Sequence, residues 1–321
     1  MSFFWLGPAL QAPPRRVVSL VPSLTEALAM LGGLPRLVGR SSYCTSPPDV
    51  VAVADVGGTK TFRPEAVLRL APELVLAAKE ENPKRLVQAL AASVPVLVAD
   101  PPGPEAVPAL WRELGRSLGA AAAGEALAQE VERELAACRA LNVPSCKLGF
   151  VYFVWAEPWM AAGPETYASR LLEACGFANA VPGGPRRYPV VGRDCALAPE
   201  VALHLYPDEP YPFALPRALA PWGLAVTPLP ALGEGLSGAA PAPEAASAKP
   251  QQADPREPAE PPAPRGQAPD LAAAYRLDGR ILCLAANGAT FTWYPSRTAR
   301  GLRAARRLAT FFAAKPLSGS Q

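Results

Sequence analysis

The chain has one histidine, three methionines and charged residues at only 18% of its 321 positions. A single histidine and scattered cysteines leave little from which to build a zinc or iron site. The formal net charge of +3 is too small to mark a general nucleic-acid binder, so no nucleic-acid partner is expected. No apolar run approaches the ~20 residues needed to span a bilayer. No C-x-x-C pair occurs among Cys44, Cys138, Cys146, Cys175, Cys195 and Cys283, and their spacing is irregular. In a chain of this length they read as small buried residues, not as a disulfide framework. The start, Met-Ser-Phe-Phe-Trp-Leu-Gly-Pro, has no basic residue before its apolar run and is broken at Gly7 and Pro8. It is read as no ordinary export signal.

Proline is what the chain has in excess, 40 residues, where a share of about 5% is usual. Nine lie in 231–270, a stretch of Ala, Pro, Glu, Gly, Ser and Gln without aromatics. Such a segment cannot bury enough apolar surface to offset its chain entropy, and is read as a disordered or polyproline-like insertion. Many others sit in short loop strings, Ser46-Pro-Pro, Glu157-Pro-Trp, Tyr188-Pro and Glu209-Pro-Tyr-Pro-Phe. There a fixed φ stiffens the turns.

Strand and helix signals alternate. Arg16–Leu20, Leu37–Arg40, Leu74–Ala78 and Val94–Ala99 read as strands, with helices at Glu26–Leu31, after Pro64 and at Pro83–Ala91. Ser23-Leu-Thr-Glu26 has capping-box spacing. This order predicts a parallel sheet with covering helices. Pro104 to about Leu141 reads as one long Ala/Leu/Glu/Arg helix, interrupted only at Gly124. The alternation then restarts with a strand at Leu148–Val154, a helix at Tyr167–Cys175 and a strand at Val201–Tyr206, in which His204 reads as a core residue. A strand pair is expected around Asp278-Gly279. Ala299–Ala313 reads as a basic amphipathic helix with a solvated face. The prediction is α/β, two lobes with parallel-sheet cores joined by one long rigid helix. The domains are 1–103, the connecting helix 104–142, and 143–321 with the insertion at 231–270.

Asp55-Val-Gly-Gly-Thr-Lys60 resembles the phosphate turn of sugar kinases, but it follows two earlier strands, where that turn sits on the first. A sugar kinase, or a cytosolic corrinoid-processing enzyme or carrier, is the alternative function. No nucleophile elbow or Ser/His/Asp arrangement is present. Loop aromatics and carboxylates at strand ends are more informative: Tyr43, Trp155, Trp159, Tyr188, Tyr211 and Trp293, with Glu80, Glu81, Asn82 and Glu209. In open α/β sheets the ligand crevice lies outside the carboxyl ends of the strands. Flat aromatic faces there suit a large, partly apolar ligand. The pattern argues for binding, with no catalytic residue and no built-in cofactor or metal.

Three N-terminal strings, Arg16-Val-Val-Ser-Leu-Val-Pro-Ser-Leu-Thr-Glu26, Leu37-Val-Gly-Arg-Ser-Ser-Tyr-Cys-Thr-Ser-Pro-Pro48 and Arg63-Pro-Glu-Ala-Val-Leu-Arg-Leu-Ala-Pro-Glu-Leu-Val-Leu76, resemble the cobalamin and iron-siderophore substrate-binding proteins of ABC importers. Trp155-Ala-Glu-Pro-Trp-Met160, Glu165-Thr-Tyr-Ala-Ser169, Glu209-Pro-Tyr-Pro-Phe213 and Thr292-Trp-Tyr-Pro-Ser-Arg-Thr298 are similar to the branch called helical backbone metal receptors. The resemblance implies two lobes on a rigid helix and a metal-chelate ligand, cobalamin or a ferric siderophore, between them. It places Tyr43, the Glu80-Glu-Asn82 loop, Trp155, Trp159 and Tyr188 in the cleft. It further implies a monomer outside the cytoplasm, with one carboxylate on each lobe docking on arginines of the importer's membrane subunits. Glu65 and Asp194 match those carboxylates. The unrecognised export signal keeps a cytoplasmic location as the alternative.

Overall fold

The computed structural model describes residues 2–141, 148–229 and 270–314. The insertion read at 231–270 lies, but for Asp270, outside the described residues, as does Cys146.

The first sheet is built from β1 (Phe3–Leu6), β2 (Val17–Ser19), β3 (Leu37–Arg40), β4 (Leu74–Ala78) and β5 (Val96–Ala99), in the order β1-β5-β4-β2-β3. β2 to β5 are parallel. Short Val/Leu runs buried on both faces suit such strands. β1 pairs antiparallel with β5, Phe3 opposite Ala99, so the apolar start forms a sheet edge where no strand was expected. Helices α1 (Pro22–Met30), α2 (Pro64–Arg69) and α3 (Lys84–Ala91) connect these strands.

The helical segment after β5 is divided. α4 (Val107–Ser117) and α5 (Ala121–Arg139) are separated at Leu118–Ala120, where Gly119 adopts φ +68. The two helices fold back on each other as an antiparallel pair. Arg112 of α4 bonds Glu125 at 2.7 Å and Glu132 at 2.8 Å on α5. A Cβ on Gly115 would stand 2.8 Å from the Gly124 Cα, so only glycines permit this crossing. α4 is tied to the first lobe, where Trp5 Nε1 donates to Glu113 at 2.8 Å. The lobes are thus joined by one long helix, but it is the 19-residue α5, not the whole of 104–142.

The second lobe contains β6 (Leu148–Trp155), β7 (Met160–Ala161), α6 (Tyr167–Glu173), β8 (Phe177–Asn179), α7 (Arg193–Ala196), β9 (Val201–Pro207), α8 (Leu215–Leu219), β10 (Val226–Pro228), β11 (Leu271–Leu277), β12 (Ile281–Ala286), α9 (Gly288–Thr292) and α10 (Thr298–Ala314). Its sheet runs β10-β11-β12-β9-β6, with β7 and β8 also on β6. β12, β9, β6 and β8 are parallel. The expected hairpin is present, β11 and β12 joined through Asp278 and Gly279, both at positive φ.

Three other expectations are corrected. The capping box does not form: Val21 is the N-cap of α1 without a side-chain bond, and Glu26 serves elsewhere. The basic face of α10 is ion-paired, not solvated. Arg303 bonds Glu130 (2.8 Å) and Glu134 (3.2 Å) of α5, and Arg300 and Arg307 both bond Asp270. Finally, Cys138 on α5 and Cys175 after α6 form a disulfide across a Cα separation of 4.7 Å, within the bridgeable range. Sequence separation hid this proximity, which arises because α5 lies on the second lobe. Cys44 and Cys283 are free and buried, as the sequence reading holds.

Candidate functional site

The loops of Tyr43, Glu80–Asn82, Trp155–Trp159, Tyr188 and Glu209–Tyr211 come at or after the ends of β3, β4, β6, β8 and β9, all parallel strands, whereas Trp293 follows α9; the Glu80–Arg187 ion pair brings loops of the two lobes together. On the first lobe, Tyr43 lies in the loop after β3. The buried Arg40 guanidinium shapes this loop by donating to the carbonyls of Ser41, Val50 and Val51 at 2.9–3.0 Å. Asp55 closes the neighbouring turn. Its Oδ1 accepts the Gly57 N–H at 2.7 Å and the Ser42 hydroxyl at 2.9 Å. The kinase-like glycine turn is therefore a folded wall of the cleft, its first N–H already used internally.

The turn after β4 carries Glu80, Glu81 and Asn82. Asn82 is buried, and both ends of its amide are taken. Oδ1 accepts Ala78 N–H at 2.9 Å, and Nδ2 donates to Thr59 O at 2.8 Å. The expectation that Asn82 contacts ligand is corrected: it holds the turn that presents the two glutamates. Both glutamates reach solvent yet are crowded by protein. Burial raises each carboxyl above its usual range, against the pull of Arg187 on Glu80 and of Lys60 on Glu81.

On the second lobe, the β6–β7 turn and the segment 187–191 form one ribbon. Ala161 N–H donates to Pro189 O, Gly163 N–H to Arg187 O, and Val191 N–H to Trp159 O. The ribbon presents Trp155, Tyr188 and Arg187. Trp155 is 44% exposed, Tyr188 41% and, from the opposite lobe, Tyr43 37%. Burial pushes the Tyr188 phenol up to about 12, with Glu80 adding to the rise.

Trp159 behaves differently. Its ring stacks on Phe213 at 5.9 Å and lies 5.0 Å from Trp222, 5.1 Å from Phe153 and 6.3 Å from Tyr206. It is half-buried support for the wall, more than a free face. Tyr211 packs edge-on against Trp155 at 5.1 Å and on Phe213 at 4.7 Å. Glu209 follows β9, next to Asp208, whose Oδ1 accepts Gly288 N–H at 2.8 Å. Trp293 lies beneath the Arg297 guanidinium, 4.7 Å from ring centre to Cζ. The peptide bonds before Pro47, Pro158, Pro210 and Pro295 are cis.

Ion pairs that the sequence did not announce cross between the lobes. Arg187 bonds Glu80 directly. Arg297 holds Glu26 with two bonds, 2.6 and 3.0 Å, and Ser46 donates to the same carboxylate at 2.8 Å. Partners 271 residues apart leave no local pattern to read. His204 is fully buried, with Nε2 2.8 Å from Ala196 O and Nδ1 3.1 Å from the Tyr206 hydroxyl, so it is a satisfied core residue. Among the described residues no cluster of His, Cys, Asp and Glu could hold a metal ion. Glu65 and Asp194 stand exposed in the first turns of α2 and α7, one on each lobe. Among the described residues no helix is long and apolar enough to cross a membrane.

The periplasmic binding protein family model matches residues 17–200. The chain belongs to this family. It is a substrate-binding protein, not an enzyme, which sets aside the kinase and processing alternatives. It is 28% identical over 194 residues to the vitamin B12-binding protein of Pectobacterium carotovorum subsp. carotovorum (strain PC1), covering 59% of this chain and 70% of the relative. The vitamin B12-binding protein of Photorhabdus laumondii is 30% identical, covering 59% and 69%. Among solved structures, the apo periplasmic heme-binding protein RhuT from Roseiflexus sp. RS-1 superposes with a TM-score of 0.64 at 22% identity, covering 94% of this chain and 99% of that one. The vitamin B12-binding protein BtuF of Vibrio cholerae gives 0.55 at 21%, covering 61% and 77%. These likenesses fix the two-lobed fold.

Proposed function

We propose that the protein captures a corrinoid, or another bulky metal chelate such as a ferric siderophore, in the inter-lobe cleft and passes it to an ABC importer. The observation that carries this reading is the set of exposed rings, Tyr43 on one lobe and Trp155 and Tyr188 on the other, on loops that the Glu80–Arg187 ion pair brings together. Rings from both sides suit a wide, partly apolar body. The metal arrives already chelated, since the single histidine is used in the core. Glu80, Glu81 and Glu209 bring carboxylates to the cleft, with Arg187 and Lys60 beside the first two, and this mixed rim suits a corrinoid with uncharged side groups. The vitamin B12-binding relatives point the same way. The protein acts outside the cytoplasm as a monomer. The Cys138–Cys175 bridge supports that compartment, because such bonds persist where the surroundings are oxidising.

Absorbance titration with cyanocobalamin, hemin and a ferric siderophore tests the reading. Saturable binding of cyanocobalamin is expected, and no binding of any of the three defeats it. Glu65 and Asp194 serve as importer contacts, one on each lobe, through charge-assisted pairs with arginines. The double variant Glu65→Ala, Asp194→Ala should abolish stimulation of the importer's ATPase and leave ligand affinity intact. Lost affinity would place these residues in the cleft instead.

A further inference from the structure

The loop that carries Tyr43 is fastened at both ends, and only one of the two fastenings stays within the first lobe. At its start, Ser42 N–H donates to Gly57 O and Cys44 N–H to Ser41 O, both at 3.0 Å. The Tyr43 ring lies against the glycine turn, where a Cβ on Gly58 would stand 3.3 Å from its Cε2. At the far end the Ser46 hydroxyl donates to Glu26 Oε1 of α1 at 2.8 Å. The same oxygen accepts Arg297 Nη2 of the second lobe at 2.6 Å, while Arg297 Nε donates to Oε2 at 3.0 Å. One carboxylate thus ties the Tyr43 loop to an arginine of the other lobe.

Arg297 is itself held in place. It lies between α9 and α10, its N–H donates to Trp293 O at 3.0 Å, and its guanidinium covers the Trp293 ring. Its pair with Glu26 is two-pronged and shielded, the side chains being 19% and 15% exposed. The Glu80–Arg187 pair is more open, at 29% and 44%. A forked arginine–carboxylate contact away from water is stronger and more directional than an exposed one. Without Arg297, Glu26 loses its charged partner and is free to turn toward water, taking its bond to Ser46 with it.

We infer that Arg297 is a positioning residue for ligand capture: through Glu26 and Ser46 it fixes the Tyr43 loop relative to the second lobe, and with it the reach from Tyr43 to Trp155 and Tyr188. The inference rests on reading the cleft as a chelate site. Arg297 acts without touching the ligand, because its guanidinium is occupied by Glu26 on one side and by the Trp293 ring on the other. A ring contributes to binding in proportion to how well it is held before the ligand arrives, since ordering it afterwards costs affinity. Tyr43 stands three residues from Ser46, so the carboxylate bond is close enough to limit the motion of the ring. The affinity supplied by Tyr43 therefore depends on a side chain of the opposite lobe, and the two substitutions are coupled.

A double-mutant cycle tests this. Cyanocobalamin affinity is measured for wild type, Tyr43→Ala, Arg297→Gln and the double variant, and hydrogen exchange is followed in the ligand-free proteins. Tyr43→Ala should weaken binding about tenfold in the wild-type background and only about twofold in Arg297→Gln. The protected amides of Ser42 and Cys44 should exchange faster in Arg297→Gln, although the substitution is on the other lobe, while the amides of β4 and β5 keep their protection. Ser46→Ala cuts the loop from the carboxylate and leaves the ion pair. It should give the same faster exchange and the same reduced effect of Tyr43→Ala, which keeps the test open if Arg297→Gln folds poorly. A merely structural role would raise exchange throughout both lobes and leave the tenfold effect of Tyr43→Ala unchanged in either background, and that result overturns the inference. Unchanged exchange at Ser42 and Cys44 in both Arg297→Gln and Ser46→Ala overturns it while the chelate reading stands. Failure of wild type to bind cyanocobalamin, hemin or a ferric siderophore overturns it together with that reading.

Discussion

The two lobes build their halves of the cleft by different means. The first lobe positions Tyr43, Glu80 and Glu81 through polar anchors that reach backbone groups: Arg40 on three loop carbonyls, Asp55 on Gly57 N–H, Asn82 on Ala78 N–H and Thr59 O. The second lobe positions Trp155 and its neighbours through stacked rings, with Phe153 on Tyr206 at 4.9 Å and Trp159 on Phe213 at 5.9 Å. Hydrogen bonds are directional and fix a turn to one geometry. Ring packing buries large areas and depends on many contacts at once. One wall is therefore sensitive to the loss of single polar groups, the other to loss of volume and to the charge state of what lies beneath it.

The largest effect expected from breaking this contrast is on the ring side. Trp159→Ala removes a ring that touches Phe153, Tyr206, Phe213 and Trp222. Truncating a large packed aromatic costs about 3–5 kcal/mol, and because Trp159 is half-buried a value near the lower end is expected. Urea unfolding should show this loss, and hydrogen exchange should place it in the second lobe, with the first unaffected. Uniform loss of protection in both lobes would mean that the walls are not independent.

The second effect uses pH. His204 lies among the same rings, 5.2 Å from Phe153, and burial pushes its pKa down to about 4. The unfolded chain protonates near 6.5 and the folded one only near 4, so between these values the unfolded state binds more protons. Stability should be fully present above pH 6.5, fall as pH drops through this window by roughly 3 kcal/mol, and level off below it. With the chain's one histidine in the second lobe, this slope should appear there. His204→Gln should flatten it in denaturant titrations at pH 7 and pH 5. An unchanged slope would assign the acid sensitivity to the carboxylates instead.

The contrast also explains what could be read from the sequence. Buried parallel strands such as Leu74–Ala78 are apolar throughout and announce themselves, as do exposed aromatics in proline loops such as Trp155 and Tyr188. Phe3–Leu6 did not, because an edge strand is defined by the partner it finds, here β5. The break at Leu118–Ala120 was masked by good helix formers on both sides, and its cause includes the meeting of Gly115 with Gly124. Trp159 looked equal to Trp155, and Asn82 to its neighbouring glutamates, since local sequence does not carry the depth at which a side chain ends. Arg187 and Arg297 were invisible for a related reason: their partners, Glu80 and Glu26, lie on the other lobe.

The smallest effect is expected on the polar side, and it sharpens the contrast most. Asn82→Ala removes almost no apolar volume, but it leaves Ala78 N–H and Thr59 O without their partner in a buried setting. The cost is about 2 kcal/mol, less than that of losing Trp159. The consequence for the cleft should nevertheless be larger, because this amide joins the Glu80–Glu81 turn to the glycine loop beside it. With the amide gone, Glu80 no longer meets Arg187 in one fixed geometry, and the pair across the cleft loosens. Asn82→Ala should therefore weaken ligand binding more than its loss of stability would suggest, and Asn82→Asp should recover only the bond from Ala78 N–H. Titration of both variants beside Trp159→Ala checks the ordering. If ligand affinity instead tracks global stability across all three, the polar wall has no positioning role of its own.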